Sequence, residues 1–319
     1  EEDFMRLFYD STKNQIKNKE MFKSRIMGLI SFYRTQDKSL IPSVNKNEIV
    51  DVPMSEYQFV NYASVRKAEI EQDKNKNKSK GKKKKKKKGE EEEDIFEIKS
   101  SYRAYSRMHC SFVFPETIPR PYPKDSEGNL IEESELDSEL IDLSDDKKLH
   151  KAKMKKYEEE KVKTLKKLEL EKEEHLIYNV PEKLPKYSPK YNIIVDSVLN
   201  SVGLSFVYTE YKTLEGIAVL SVVLKANGFA PFLIKQNEKG EWLNYLEKEE
   251  DKDKPKYAFW GGNAEESDII RKVYNNEYDE LPKSLRDQLT KSSKTNTNLR
   301  GETIKVLLTT KTGAEGIDL

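Results

Sequence analysis

The 319-residue chain has almost nothing with which to cross-link or chelate: one cysteine, Cys110, and three histidines. A single thiol excludes a disulfide framework and any cysteine-rich zinc module, and it predicts a chain kept in a reducing compartment. His109 and Cys110 are adjacent, but no other His or Cys lies close in sequence, so they are not spaced as a metal site. Asp, Glu and His nowhere cluster at ligand spacing, which excludes a plain metal-dependent nuclease. Long apolar runs are also missing. No stretch approaches the ~20 apolar residues of a membrane-spanning helix, so no membrane partner is expected. The opening EEDFMRLFYD lacks the basic-then-apolar pattern of a secretory signal. It also lacks an initiating Met, and the sequence stops at GAEGIDL, so the chain is expected to be a piece of something longer. Excess charge of one sign is absent too: 58 basic and 57 acidic residues leave +1.

What is abundant is charge itself. Charged residues make up 36% of the chain, against ~25% in ordinary soluble domains. At ~150 residues per domain the length allows about two domains, with a normal core diluted by polar insertions. Residues 73–94 read DKNKNKSKGKKKKKKKGEEEED, seven consecutive lysines followed by five consecutive acids. Such blocks bury too little apolar surface to offset ordering entropy, so this segment is expected to be a disordered, solvated loop. Contact with nucleic acid or an acidic partner is the weaker reading of the lysine run. A second polar region, 123–180, begins as an acidic linker. It continues into DKKLHKAKMKKYEEEKVKTLKKLELEKEEHL, rich in helix formers and free of Gly and Pro. Met154, Tyr157, Leu165 and Leu168 give only a thin apolar stripe, which predicts an exposed helix over 144–175 with His150 and His175 solvated.

The remaining sequence alternates strand and helix patterns. Leu204–Thr209, Phe229–Ile234, Tyr257–Trp260 and Ile304–Thr310 are short, apolar and β-rich, with Pro231 marking an edge or irregular start. Helical patterns lie at Glu215–Asn227, Ile269–Asn275 and Pro282–Leu289. This alternation predicts an α/β fold, a parallel sheet flanked by helices, with Leu204–Thr209 and Ile304–Thr310 near its centre. Functional loops should then lie at the carboxyl ends of the strands. The segment KVLLTTKTGAEGIDL fits that position. Hydroxyls and bare backbone N–H groups there suit phosphate oxygens, and Asp318 suits a ribose hydroxyl. Residues 181–319 hold 20 basic and 21 acidic residues, so any basic track must come from folding.

The order of the segments carries more than any one of them. LSFVYTEYKTLEGIAVLSVVLKANGF, then YAFWGGN before a helix bearing Arg271, then GAEGIDL, resembles the second RecA-like lobe of a superfamily 2 helicase. Upstream, VPMSEYQFVNYASVR resembles the Pro…Ser…Gln…Tyr segment of Swi/Snf-type ATPases. SRMHCSFVFP resembles their Leu-Arg…Cys-Asn-His-Pro segment, with Ser111 and Phe112 in place of Asn-His. KYSPKYNIIVDSVL resembles the Ser-x-Lys helix that opens their second lobe. Together with FKSRIMGLISFYR and the long insertions, these look like helicases of large nucleocytoplasmic DNA viruses. That group includes the nucleoside triphosphatase I and early transcription factor helicases of poxviruses.

The resemblance implies a division into residues 1–50, trailing a first RecA-like lobe; 51–122, the start of the second-lobe region, interrupted by the 73–94 loop; 123–180, a charged helical insertion; and 181–319, the second lobe itself. It implies that Tyr208, Thr209 and Glu210, with Thr309 and Thr310, face nucleic-acid phosphate, and that Gly313, Glu315, Gly316 and Asp318 meet the nucleotide. Arg300 and Gly301 would position the last strand. ATP and Mg2+ would be cofactors, held mainly by a first lobe. Nucleic acid, DNA or RNA, would be the partner, with viral RNA polymerase a second candidate, in the virion or the host cytoplasm. No G-x-x-x-x-G-K-[ST] loop and no Asp-Glu-x-His box occurs, and the arginine-finger segment would follow Leu319, so this stretch alone is expected not to hydrolyse ATP. The alternative is a non-catalytic RecA-like scaffold lobe in a viral transcription or packaging complex. Of the remaining residues, Cys110 is expected to pack as a small apolar side chain. Trp260 is expected to be a core aromatic rather than a base-stacking one, and Glu265, Glu266 and Asp268 to suit a helix N-terminus.

Overall fold

The computed structural model describes residues 2–10, 15–27, 44–84, 104–123, 146–292 and 297–311. Two compact units divide at Asp51/Val52. The first holds α1 (Glu2–Phe8), the antiparallel pair β1 (Tyr9–Asp10) and β2 (Gln15–Ile16), and α2 (Lys19–Ile26). Its nucleus is three phenylalanines, Phe4, Phe8 and Phe22, with ring centroids 5.2 to 6.1 Å apart.

The second unit opens with the long α3 (Glu56–Lys84) and the short α4 (Ala104–His109). The lysine-rich stretch expected to be disordered is helical as far as Lys84. Lysine is a good helix former, and a helix already nucleated by the packed residues near Tyr57 propagates cheaply. Residues 85–94 lie outside the described part. Next come α5 (Asp146–Leu170), α6 (Lys172–His175), α7 (Leu184–Tyr187) and α8 (Pro189–Asn200). The expected helix over 144–175 is there, but it is not exposed on every face: Tyr157, Leu168 and His175 are buried, and Leu176 beyond it is fully so. The thin stripe is enough to seat it, because its partner surface is the core of the sheet's first face.

The sheet follows: β3 (Ser205–Tyr208), α9 (Ile217–Ala226), β4 (Ala230–Pro231), β5 (Leu233–Gln236), β6 (Trp242–Tyr245), β7 (Lys256–Trp260), α10 (Ala264–Tyr274), α11 (Lys283–Ser292) and β8 (Val306–Thr309). Four strands pair in the order β3-β8-β7-β4, all parallel. Side chains alternate across the pleat. Val207, Val306, Leu308, Tyr257 and Phe259 therefore join one core with α8 and α9, while Leu307, Ala258 and Trp260 join a second with α10 and α11. The chain is α/β, with helices on both faces of a parallel sheet.

Two expectations are corrected. Phe229–Ile234 is not one strand: Pro231 cannot donate to a ladder, and the chain leaves the sheet there to form a β5–β6 hairpin. The two strands expected at the centre also part company. β8 is central and buried along its whole length, whereas β3 pairs only with β8 among the described residues. Phe206 and Tyr208 are 45% and 48% exposed, the alternation of an edge strand that a short apolar run in sequence cannot reveal.

Candidate functional site

Three strands end in one row at the carboxyl edge of the sheet. Tyr208 pairs in register with Thr309, and Thr309 with Trp260. Beyond the row the backbone turns sharply. The Thr209 N–H donates to the Thr309 carbonyl at 3.0 Å, and the Thr209 hydroxyl donates to the Tyr211 carbonyl at 2.8 Å. That same carbonyl accepts from the Ile217 N–H at 3.0 Å, folding residues 209–217 into a compact loop. Gly216 makes the loop possible: a Cβ there would lie 1.7 Å from the Tyr211 oxygen. The loop presents Glu210, Tyr211 and Lys212 at its outer side. Burial, then the nearby Glu210 carboxylate, pushes the Tyr211 phenol up to about 12.

The row itself is less open than the sequence implies. Thr309 is fully buried, and its hydroxyl donates to the Trp260 carbonyl at 3.3 Å. Thr310 is only 6% exposed. Both threonines therefore act as strand-end structure, and of the five residues assigned to phosphate only Tyr208 and Glu210 are exposed. Glu210 is a carboxylate, which repels phosphate, and it is already paired. Gly313, Glu315, Gly316 and Asp318 follow β8 outside the described residues. Trp260 packs on the second core, in agreement with its reading as a core aromatic. Asn263 caps α10, its side chain accepting from Glu265 N at 3.0 Å. Asp268 is held below the usual carboxylate range, first by its hydrogen bond from Lys272.

The residues that sequence reasoning passed over come from 104–123. Two Arg–Glu pairs run from this segment to the connection between β3 and α9. Arg120 forms a forked pair with Glu215, in which Nη2 donates to Oε2 at 3.1 Å, and the two side chains are 4% and 1% exposed. The guanidinium also lies 5.1 Å from the Tyr105 ring and 4.5 Å from that of Tyr122. Burial alone would push Arg120 down, but the facing carboxylate outweighs it and drives the pKa up. Arg107 donates to Glu210 at 2.7 Å, with side chains 55% and 46% exposed.

Beside the sealed pair sits His109, its Nε2 at 3.4 Å from the Tyr122 hydroxyl. It is buried, with Nδ1–H donating to the Tyr105 carbonyl at 2.9 Å, and its own carbonyl accepts from Gln58 at 2.7 Å. Burial lowers its pKa, against the opposing pull of Glu215. Cys110 is exposed rather than packed; its Sγ lies 3.2 Å from the Ser106 carbonyl. Lys190, exposed at the start of α8, reaches Ser111 Oγ at 3.5 Å on the other side of the same surface. Ser188 ties the two elements together, its hydroxyl donating to the Ser111 carbonyl at 2.5 Å and accepting from Tyr191 N.

Two further expectations are settled. Gly301 has φ +87° and a Cβ there would meet Lys305 at 2.7 Å, so the turn before β8 requires glycine, as its structural reading holds. His175 is buried and pairs with Glu171 at 3.3 Å instead of being solvated. Glu171, Glu174 and His175 bring donor atoms within 4.8 Å of one another. With Glu171 also accepting from the Thr117 hydroxyl at 3.4 Å, the group reads as a hydrogen-bonded contact seating the insertion helix. Comparison of the chain with family models, curated proteins and solved structures finds no match.

Proposed function

We propose that the chain supplies the second RecA-like lobe of an ATP-dependent nucleic-acid helicase or translocase of the Swi/Snf-like kind, acting in viral transcription. One observation carries the reading: segments far apart in sequence, each resembling that family, meet at one edge of a parallel sheet. β3, β7 and β8 end there in register, and SRMHCSFVFP and the Ser188 helix are tied to one another beside it through Ser188 and Ser111. In α/β sheets, ligands gather outside the carboxyl ends of the strands.

In this reading the lobe contributes surface and positioning, and a first lobe contributes the phosphate loop and the magnesium carboxylates. ATP would supply the energy of lobe closure, with Asp318 and its neighbours in sequence meeting it from this side. The exposed residues around the 209–217 loop would meet the nucleic-acid backbone. Phosphate contacts fix register without reading sequence, so binding should be salt-sensitive and indifferent to sequence.

The test joins this chain to a first lobe and measures nucleic-acid-stimulated phosphate release. Asp318→Ala should lower turnover roughly tenfold to a hundredfold, the loss of one hydrogen bond of ~1–3 kcal/mol. The 319-residue chain alone should release none. Unchanged turnover in Asp318→Ala, or robust hydrolysis by the chain alone, would remove the assignment.

A further inference from the structure

The geometry points to Arg107 and Lys190 as phosphate-backbone contacts of this lobe, with Glu210 acting as an internal competitor that occupies Arg107 until a polyanion displaces it. The inference rests on the nucleic-acid reading above and changes which residues execute it.

Of the threonines that the resemblance offers to phosphate, Thr309 and Thr310 are buried, the first with its hydroxyl spent on the Trp260 carbonyl, and the half-buried Thr209 spends its hydroxyl on the Tyr211 carbonyl. Cations on this edge are exposed instead. Arg107 reaches out from α4, Lys190 from the first turn of α8 and Lys212 from the 209–217 loop, and all three are exposed. Arg107 and Lys190 flank Cys110 closely enough that both pull its thiol pKa down, against the larger upward push of burial. The balanced composition of residues 181–319 therefore hides a local excess: folding brings the 104–111 segment that carries Arg107 up to Lys190, which reaches Ser111 Oγ at 3.5 Å.

Glu210 is the exposed acid within this group; Glu69, which also acts on Cys110, accepts from the Ser106 N–H instead. Its carboxylate takes the Arg107 guanidinium at 2.7 Å, in the paired-oxygen geometry that a phosphate would also offer. The pair is about half exposed on both sides, and exposed pairs contribute only ~0–1 kcal/mol. A carboxylate held so weakly yields to a backbone phosphate, while at rest it shields the arginine from stray anions. The same loop fixes where Glu210 sits, because Gly216 and the Tyr211 carbonyl lock its path.

A double-mutant cycle reads this directly. Binding of a fluorescein-labelled oligothymidine to the 319-residue chain is followed by anisotropy over a range of salt. The cycle is repeated with Lys82–Lys88 replaced by serine, because that run binds any polyanion. Arg107→Ala should weaken binding about threefold to tenfold, and Arg107→Ala and Lys190→Ala should each flatten the salt dependence by about 0.7 of a logarithmic unit per contact. Glu210→Gln should tighten binding by a similar factor in the wild-type background and by nothing in the Arg107→Ala background. An equal gain in both backgrounds would mean general repulsion and would overturn the competitor role of Glu210. Unchanged salt dependence in Arg107→Ala would overturn its contact with phosphate. Failure of every form to bind, Glu210→Gln included, would remove the nucleic-acid reading itself.

Discussion

Two arginine–glutamate pairs connect the same two stretches of chain, only 13 residues apart at the arginine end and five at the other, yet they do opposite work. Arg120–Glu215 is sealed, with side chains 4% and 1% exposed; Arg107–Glu210 stands about half in water. Removing charges from water is costly, so a sealed pair survives only when its geometry is good and its remaining donors are met. Arg120 meets that condition with a fork on Glu215, a bond to the Pro121 carbonyl at 2.8 Å and two tyrosine rings. It cannot exchange partners without stranding Glu215. Arg107 can, because water compensates both partners when they separate. The same chemistry is a fastening in one place and a replaceable contact in the other, and burial alone decides which.

The sealed pair should carry the largest loss. Arg120→Ala should destabilise the unit by about 3–5 kcal/mol, the usual result of leaving a buried charge unpaired, measured by urea unfolding of the 319-residue chain. Arg120→Met combined with Glu215→Leu should recover most of that loss, because no charge is then stranded. A single-variant loss under about 1 kcal/mol would put the pair in the same class as the exposed one. Strands offer a second contrast of the same kind. Leu307→Ala in the central β8 removes a fully buried side chain and should cost about 2–5 kcal/mol. Phe206→Ala on the edge strand β3, where the ring is 45% exposed, should cost about 1 kcal/mol. Equal losses would show that β3 is not an edge in solution.

His109 sharpens the comparison through pH. It is buried beside the sealed pair, and burial lowers its pKa below the ordinary value. The fold therefore holds it neutral, and as pH falls below ~6.5 the unfolded chain takes up a proton that the folded chain resists. Stability should be unaffected by this group above that pH and should decline from there toward its lower folded pKa. His109→Gln should flatten the decline between pH ~5 and ~6.5, where most carboxylates remain ionised. An unchanged slope in urea midpoints across that interval would show that His109 titrates as freely in the fold as out of it.

How much of this was legible beforehand follows from which forces are local. The helix over 217–226 and the strands at 256–260 and 306–309 announce themselves, since each is a short apolar run closed by Gly or a polar turn. The α/β class follows from their alternation. Register does not, because β3 and β8 read alike in sequence; only pairing makes one central and the other an edge. The carboxyl edge of the sheet was legible as a place in the fold, and which of its residues are exposed was not. Thr309 and Thr310 look available in the sequence because nothing local says that the row beneath Trp260 is closed. Arg107, Arg120 and Lys190 carried no signal, because their meaning depends on partners 79 to 103 residues away. Asn298 is a similar case: its fully buried side chain bonds Tyr274, Thr303 and Ile304 around the turn before β8, and nothing in NLRGETI foretells it.

The smallest expected effect is also the most discriminating. Arg107→Ala should change the unfolding free energy of the chain by less than about 1 kcal/mol, since the pair it breaks is about half exposed on each side. Salt separates this from the sealed pair without another mutation. At ~1 M salt the screening length falls to ~3 Å, comparable with the separation of the exposed charges, so whatever Arg107 contributes at low salt should vanish. The loss caused by Arg120→Ala should persist, because ions do not reach a pair closed off by Tyr105, Tyr122 and Met108. Urea unfolding of both variants and the parent at low and high salt gives four differences, of which only the Arg107 one should collapse. If the Arg107 loss exceeded about 2 kcal/mol and survived high salt, the pair would be structural, Glu210 would not be free to yield, and a polyanion would have to bind elsewhere on this edge.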